Sequence, residues 1–179
     1  MADYEVIAQG TLTTSTSTSI NITSIPATFS HLELFINNRS TKAANTTDGG
    51  EINVNGNTSS VYGTIGLYFF NSGSTGLLNQ NVNSRTKLDN PFRIMNDNMP
   101  ANQYAATRFV IPNYSNTSVT RKGFLIQSST ASTRNSEYWH FVAMGNITTS
   151  AAINRIEMFA ESASYPFKAG TSYFLAGWR

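Results

Sequence analysis

Residues 22–36 read ITSIPATFSHLELFI. Past the proline the chain alternates: Leu32, Leu34 and Ile36 fall on one side, His31, Glu33 and Phe35 on the other. A period of two marks a strand with one face on a core. Pro26 cannot donate to a ladder, so it places a turn ahead of that strand. Upstream, residues 13–24 read TTSTSTSINITS, β-branched threonines that suit a strand with one polar face.

The same period runs outward through the chain. Strands are predicted at Tyr4–Thr13, Ser19–Thr23, His31–Asn37, Glu51–Asn55, Ile65–Phe70, Tyr104–Ile111, Lys122–Gln127, Glu137–Met144, Ala152–Phe159 and Ser172–Trp178. Clusters such as NGNTSS, NDNMPANQ and NYSNTS separate them as turns. Asn79–Met99 fits a strand poorly and reads as a long loop or a short helix. The fold class expected is all-β, an antiparallel β-sandwich of about eight to ten strands forming a single domain over residues 1–179.

Composition narrows the function. Charged residues are 12% of the chain, against about 25% in ordinary domains, and the net charge is +2. The arginines are scattered, so the dense basic patch that nucleic-acid binding needs is missing and no nucleic-acid partner is predicted. Ser, Thr and Asn supply 63 of 179 residues. With 40% hydrophobic and 12% aromatic residues, the chain is nonetheless expected to fold. There is no cysteine, hence no disulfide framework or thiolate metal site. Residues 1–10, MADYEVIAQG, lack the pattern of a secretion signal, and no apolar run is long enough for membrane insertion. Seven Asn-x-Ser/Thr sequons occur, but this composition gives about five by chance, so they do not indicate a glycoprotein.

No Gly-x-Ser-x-Gly, His-Glu-x-x-His or phosphate-loop motif is present, so neither a catalytic site nor a cofactor is predicted. His31 is expected to tie the Pro26 turn to a neighbouring backbone, and His140 to sit within a strand face. Asp48, Glu51, Asp89 and Asp97 have no calcium-loop spacing, and no metal site is predicted. Flat aromatics beside loop asparagines suit sugars, and Tyr138, Trp139 and Trp178 are the candidate contacts for a glycan or a partner.

Three stretches, at the two ends of the sequence, carry a family resemblance. YEVIAQGTL (4–12) followed by ITSIPATFSHLELFINNRS (22–40) resembles the opening of virion structural proteins of tailed bacteriophages, especially marine ones. That opening is a Tyr-Glu-Leu-Ile-like strand, then a Ser-Ile-Pro-Ala-Thr-aromatic-x-His-Leu segment. The ending INRIEMFAESASYPFKAGTSYFLAGWR (153–179) is similar to the family's Gly-containing turn and aromatic strand. Ala176 and Gly177 stand where the family usually has Tyr-Gly, and the middle matches only in character. The resemblance implies a jelly-roll-like sandwich on the virion exterior, as capsid decoration, head fibre or tail-fibre component. It implies no catalytic residue. Its expected partners are other virion proteins and further copies of itself, as a homotrimer or another symmetric oligomer. The alternative function is a receptor-binding module for host surface glycans.

Overall fold

The computed structural model describes residues 4–44, 47–70, 75–131, 138–160 and 162–179. Every regular element among them is a strand: β1 (Tyr4–Thr11), β2 (Ser19–Ile22), β3 (His31–Asn38), β4 (Thr47–Val54), β5 (Tyr62–Phe70), β6 (Thr75–Arg85), β7 (Leu88–Met95), β8 (Ala105–Pro112), β9 (Arg121–Ala131), β10 (Tyr138–Thr148), β11 (Ile156–Phe159) and β12 (Ser172–Trp178). Glu137, predicted to open the tenth of these, and the turn residues 71–74 and 132–136 lie outside the described residues.

The strands form two antiparallel sheets. One has the order β1-β12-β3-β8-β9-β10-β5-β6, the other β2-β11-β4-β7. Four nested pairs, β1 with β12, β2 with β11, β3 with β8 and β4 with β7, give the connectivity of a jelly roll, one long hairpin rolled onto itself. The hairpins β5–β6 and β9–β10 are additions. Both attach beyond β8 and double the width of the larger sheet.

Two of the twelve strands replace the loop or helix expected at Asn79–Met99. β6 pairs with β5, and β7 pairs with β4. Pro91 lies in β7, at the edge of the smaller sheet, where the ladder slips between Gly50 and Glu51. An edge bulge is a place where a strand tolerates proline.

The hydroxyl-rich approach also differs from expectation. Residues 12–18 form no strand; they carry the chain from one sheet to the other. This crossover bonds to the corresponding crossover near the C-terminus. Phe167 N donates to Ser17 O at 2.9 Å, Ala160 N to Thr18 O at 3.0 Å and Ala169 N to Ser15 Oγ at 2.9 Å. One of these bonds uses a side-chain hydroxyl, Ser15 Oγ; the other two use backbone carbonyls of the corner, which need local partners.

The core is built as the alternation of β3 requires. Leu32, Leu34 and Ile36 are buried between the sheets, with Ile52, Val54, Ile156 and Met158 from the smaller one. The Pro26 turn is pinned by Tyr114, whose hydroxyl donates to Pro26 O, and not by His31. Loop 96–104 is organised by Arg39. Its buried guanidinium donates to the carbonyls of Asp97, Met99, Pro100 and Gln103 at 2.6–3.0 Å.

Candidate functional site

The smaller sheet covers one face of the larger, and among the described residues no other layer meets the opposite face. Directly paired residues point the same way, so the register orders this outer face into rows that cross the strands. One row runs Val6, Ala176, Glu33, Val110, Leu125, Met144 and Ile65. The next holds Phe174, Phe35, Arg108, Gln127, Val142 and Leu67. Of the ten exposed large hydrophobics among the described residues, all but Tyr165 lie on this face. Met144 is 59% exposed and Ile65 52%. Contiguous apolar surface on this scale marks an interaction site in soluble proteins.

The two charges within these rows neutralise each other. Arg108 Nε donates to Glu33 Oε1, and the Trp178 indole N–H donates to Glu33 Oε2 at 3.1 Å. Arg121 stands at the rim, at the start of β9. The outer face of the smaller sheet has the opposite character. Glu51 pairs with Lys87 at 2.7 Å, Arg155 with Glu157 at 2.8 Å, and Asn21 accepts from Arg155 Nε at 2.9 Å. Apart from the paired Glu33 and Arg108 and the rim Arg121, the chain's scarce charge is thus kept off the described part of the broad face.

The broad face is not flat. At the β1–β12–β3 flank, Tyr4 packs edge-on to Trp178 with ring centroids 4.9 Å apart, and His31 stacks on Trp178 at 5.8 Å. Toward the other flank the same row falls to Gly123, Asn146 and Gly63. There an open hollow of about 740 Å³ is walled by Ile65, Val110, Pro112, Leu125 and Met144. A second hollow of about 400 Å³ lies farther along the strands, between Phe35, Arg108, Gln127 and Val142.

The three residues singled out from the sequence do not converge. Tyr138 is exposed on the broad face. Trp139 points to the other side, under the Arg93 guanidinium at 4.3 Å and beside Tyr68 at 5.5 Å. Trp178 is four strands from β10, about 19 Å away at ordinary strand spacing. Leu67, Leu125, Val142 and Met144, which dominate the face, were not marked by any motif. The signal available was alternation with apolar residues on both sides, as in Tyr138–Met144.

Both imidazoles belong to the broad face, and each meets a serine hydroxyl: His31 Nδ1 lies 3.1 Å from Ser30 Oγ and His140 Nδ1 3.1 Å from Ser129 Oγ. Neither has a carboxylate partner among the described residues, so neither Ser–His pair is completed by an orienting acid. Among the same residues no group of three His, Cys, Asp or Glu could hold a metal ion. Nor, among the described residues, is any helix long and apolar enough to cross a membrane. The shifted ionisations belong to the core. Burial pushes the Tyr62 and Tyr114 phenols up, against the pull of backbone hydrogen bonds. Burial lowers Lys122, whose ammonium donates to Asn116 O at 2.6 Å.

No family model matches the chain, and no curated protein matches it. Among solved structures it is similar to the carbohydrate recognition domain of Emp46p in a potassium-bound form, at 12% identity over 98% of this chain and 87% of that one, TM-score 0.27. It is also similar to NanB with Optactamide, at 14% identity over 89% and 27% of the two chains, TM-score 0.24. A non-toxic crystal protein from Bacillus thuringiensis gives 15% identity over 100% and 74%, TM-score 0.14. Likenesses this weak carry no argument about the chain.

Proposed function

We propose that this chain is a non-enzymatic bacteriophage virion protein, an accessory component on the exterior of capsid or tail that works by docking rather than by chemistry. The observation that carries the docking role is the broad outer face, apolar, internally neutral and left without a covering layer. The phage setting comes from the sequence resemblance at the two chain ends. In support, those ends are neighbours in space: β1, β12 and β3 are consecutive strands, and Phe29 of the SIPATFSH segment packs on Gly177 of the terminal strand. The glycan alternative draws less support, because the larger hollow is walled by aliphatic side chains and the candidate aromatics are dispersed.

The experiment is gold labelling of purified phage particles with an antibody to this chain, viewed in negative stain. Label on the capsid or tail exterior is the expected result. Particles that lack the chain would refute the virion role. Specific binding on a glycan array, lost in Tyr138→Ala or Trp178→Ala, would favour the receptor-binding reading.

A further inference from the structure

We infer that the broad face of the eight-stranded sheet docks on the same face of a second copy, around a two-fold axis running along β8. This deepens the assembly role proposed above by naming the partner of the face.

Three features select a copy of the same chain. The first is charge. Surfaces that meet themselves must not repel, and this one balances Glu33 against Arg108 within each protomer while the smaller sheet keeps its ion pairs on the far side. The second is area. Seven strands from β1 to β5 span about 29 Å, and three rows of side chains about 20 Å. That is roughly 600 Å² per copy and about 1,200 Å² in all, the lower bound of specific protein interfaces.

The third feature is shape. Within a single row across the strands, the Tyr4, Trp178 and His31 rings lie at one flank and the glycine hollow at the other. In the sheet order, β12 and β10 lie two strands to either side of β8, β3 and β9 one strand to either side, and β1 and β5 three. A two-fold rotation along β8 therefore sets the ring flank of each copy over the glycine hollow of the other: Tyr4 over Gly63, Trp178 over Asn146 and His31 over Gly123. The contact closes on itself and repeats each ring-in-hollow element twice.

The test is sedimentation velocity of the purified chain across micromolar concentrations, which needs no virion. The expected species has twice the 19.6 kDa protomer mass. Two substitutions probe the contact without burdening the protomer. Met144→Glu puts a charge on an exposed position and should weaken association by about a hundredfold or more, since each contact carries the charge twice. Gly123→Phe fills the hollow; in the protomer its Cβ has only Gly145 O within reach, at 3.9 Å. It should weaken association while leaving the melting of the diluted protomer unchanged. Ser19→Glu, on the opposite sheet, should leave association intact. A monomeric wild type, a three-fold species, or a two-fold species indifferent to both Met144→Glu and Gly123→Phe overturns the inference. A monomer that still labels virions refutes only the two-fold contact. A two-fold species missing from virions refutes only the phage role.

Discussion

Replacing Gly177 by alanine should destabilise the protein by about 2–3 kcal/mol. A methyl on Gly177 would fall 2.7 Å from Phe29 Cδ1 and closer still to Cγ and Cδ2. Those atoms are at the stem of the ring, which cannot swing clear as a long flexible side chain would. Phe29 is also held by its backbone: its N–H reaches the Tyr114 hydroxyl at 3.4 Å, and its carbonyl accepts from Ser115 Oγ at 3.1 Å. Gly177 is confined on both sides, since β12 pairs with β1 and β3. Overpacking a core costs about 1–3 kcal/mol, and a site with so little room to relax belongs in the upper part of that range. For a chain of this length that lowers the melting temperature by about 4–12 °C. Urea denaturation of wild type, Gly177→Ala, Phe29→Ala and the double variant checks the cause. Removing Cγ, Cδ1 and Cδ2 of Phe29 relieves the overlap, so the double variant should be more stable than the sum of the single losses predicts, by about 1 kcal/mol or more. A Gly177→Ala protein within about 0.5 kcal/mol of wild type, or strict additivity in the cycle, would refute the reasoning.

Deleting residues 173–179 removes the strand between β1 and β3, together with buried Leu175 and Ala176, and should leave an insoluble or unfolded chain; a soluble truncation with an unchanged melting curve would contradict it. Arg39→Met strips four carbonyl bonds, one of them fully buried, from loop 96–104 and should cost about 3–5 kcal/mol by chemical denaturation, with Arg39→Lys recovering only part because an ammonium cannot fork to four acceptors. The alkaline limb of stability has a definite sign. The unfolded chain loses its tyrosine protons near 10.0 while folded Tyr62 and Tyr114 keep theirs, so their contribution is full below that pH and is lost as pH rises through the folded values. Lys122 acts oppositely: the cost of burying its charge is full at neutral pH and is relieved as pH approaches 10.5. Thermal melts from pH 8 to 11 should therefore fall steeply above 10.0 in wild type and less so in Tyr62→Phe/Tyr114→Phe.

Alternation made β3 and β12 readable to within a residue, because each has one face on the core and a clear phase. The segment from Asn79 to Met99 was opaque for the opposite reason. It is rich in asparagine, contains Pro91 and is poor in β-branched residues, and its strands exist because β5 and β4 offer them paired edges. The threonine run misled in the other direction: strand propensity at residues 12–18 yields to a corner whose backbone groups find partners in residues 160–171. Asn55 shows a smaller effect. Its φ of 55° ends β4 at Val54, one residue before the predicted limit, as asparagine tolerates better than most residues. The broad face was half legible. Apolar residues fall on both sides of Phe174–Trp178, but alternation cannot say which side lacks a covering layer. That is decided by a sheet of eight strands lying against a sheet of four.

The mismatch in width has a consequence for how the face is assembled from sequence. The eight jelly-roll strands and the connections between them hold the stretches that carry the family resemblance, and the strands supply the ring flank of Tyr4, His31 and Trp178. The two added hairpins supply Gly63, Gly123 and Asn146 at the floor of the hollow and Ile65, Leu125 and Met144 among its walls. Knob and hollow therefore come from different parts of the chain, joined through β8, whose Val110 and Pro112 complete the hollow. Changes in the hairpins would reshape the hollow while leaving the frame and its Phe29–Gly177 contact intact. Changes in the frame would strike stability and the ring flank together. Gly177→Ala and Gly123→Phe separate these two effects: the first should lower the melting temperature, and the second should alter association in a protomer that melts as before.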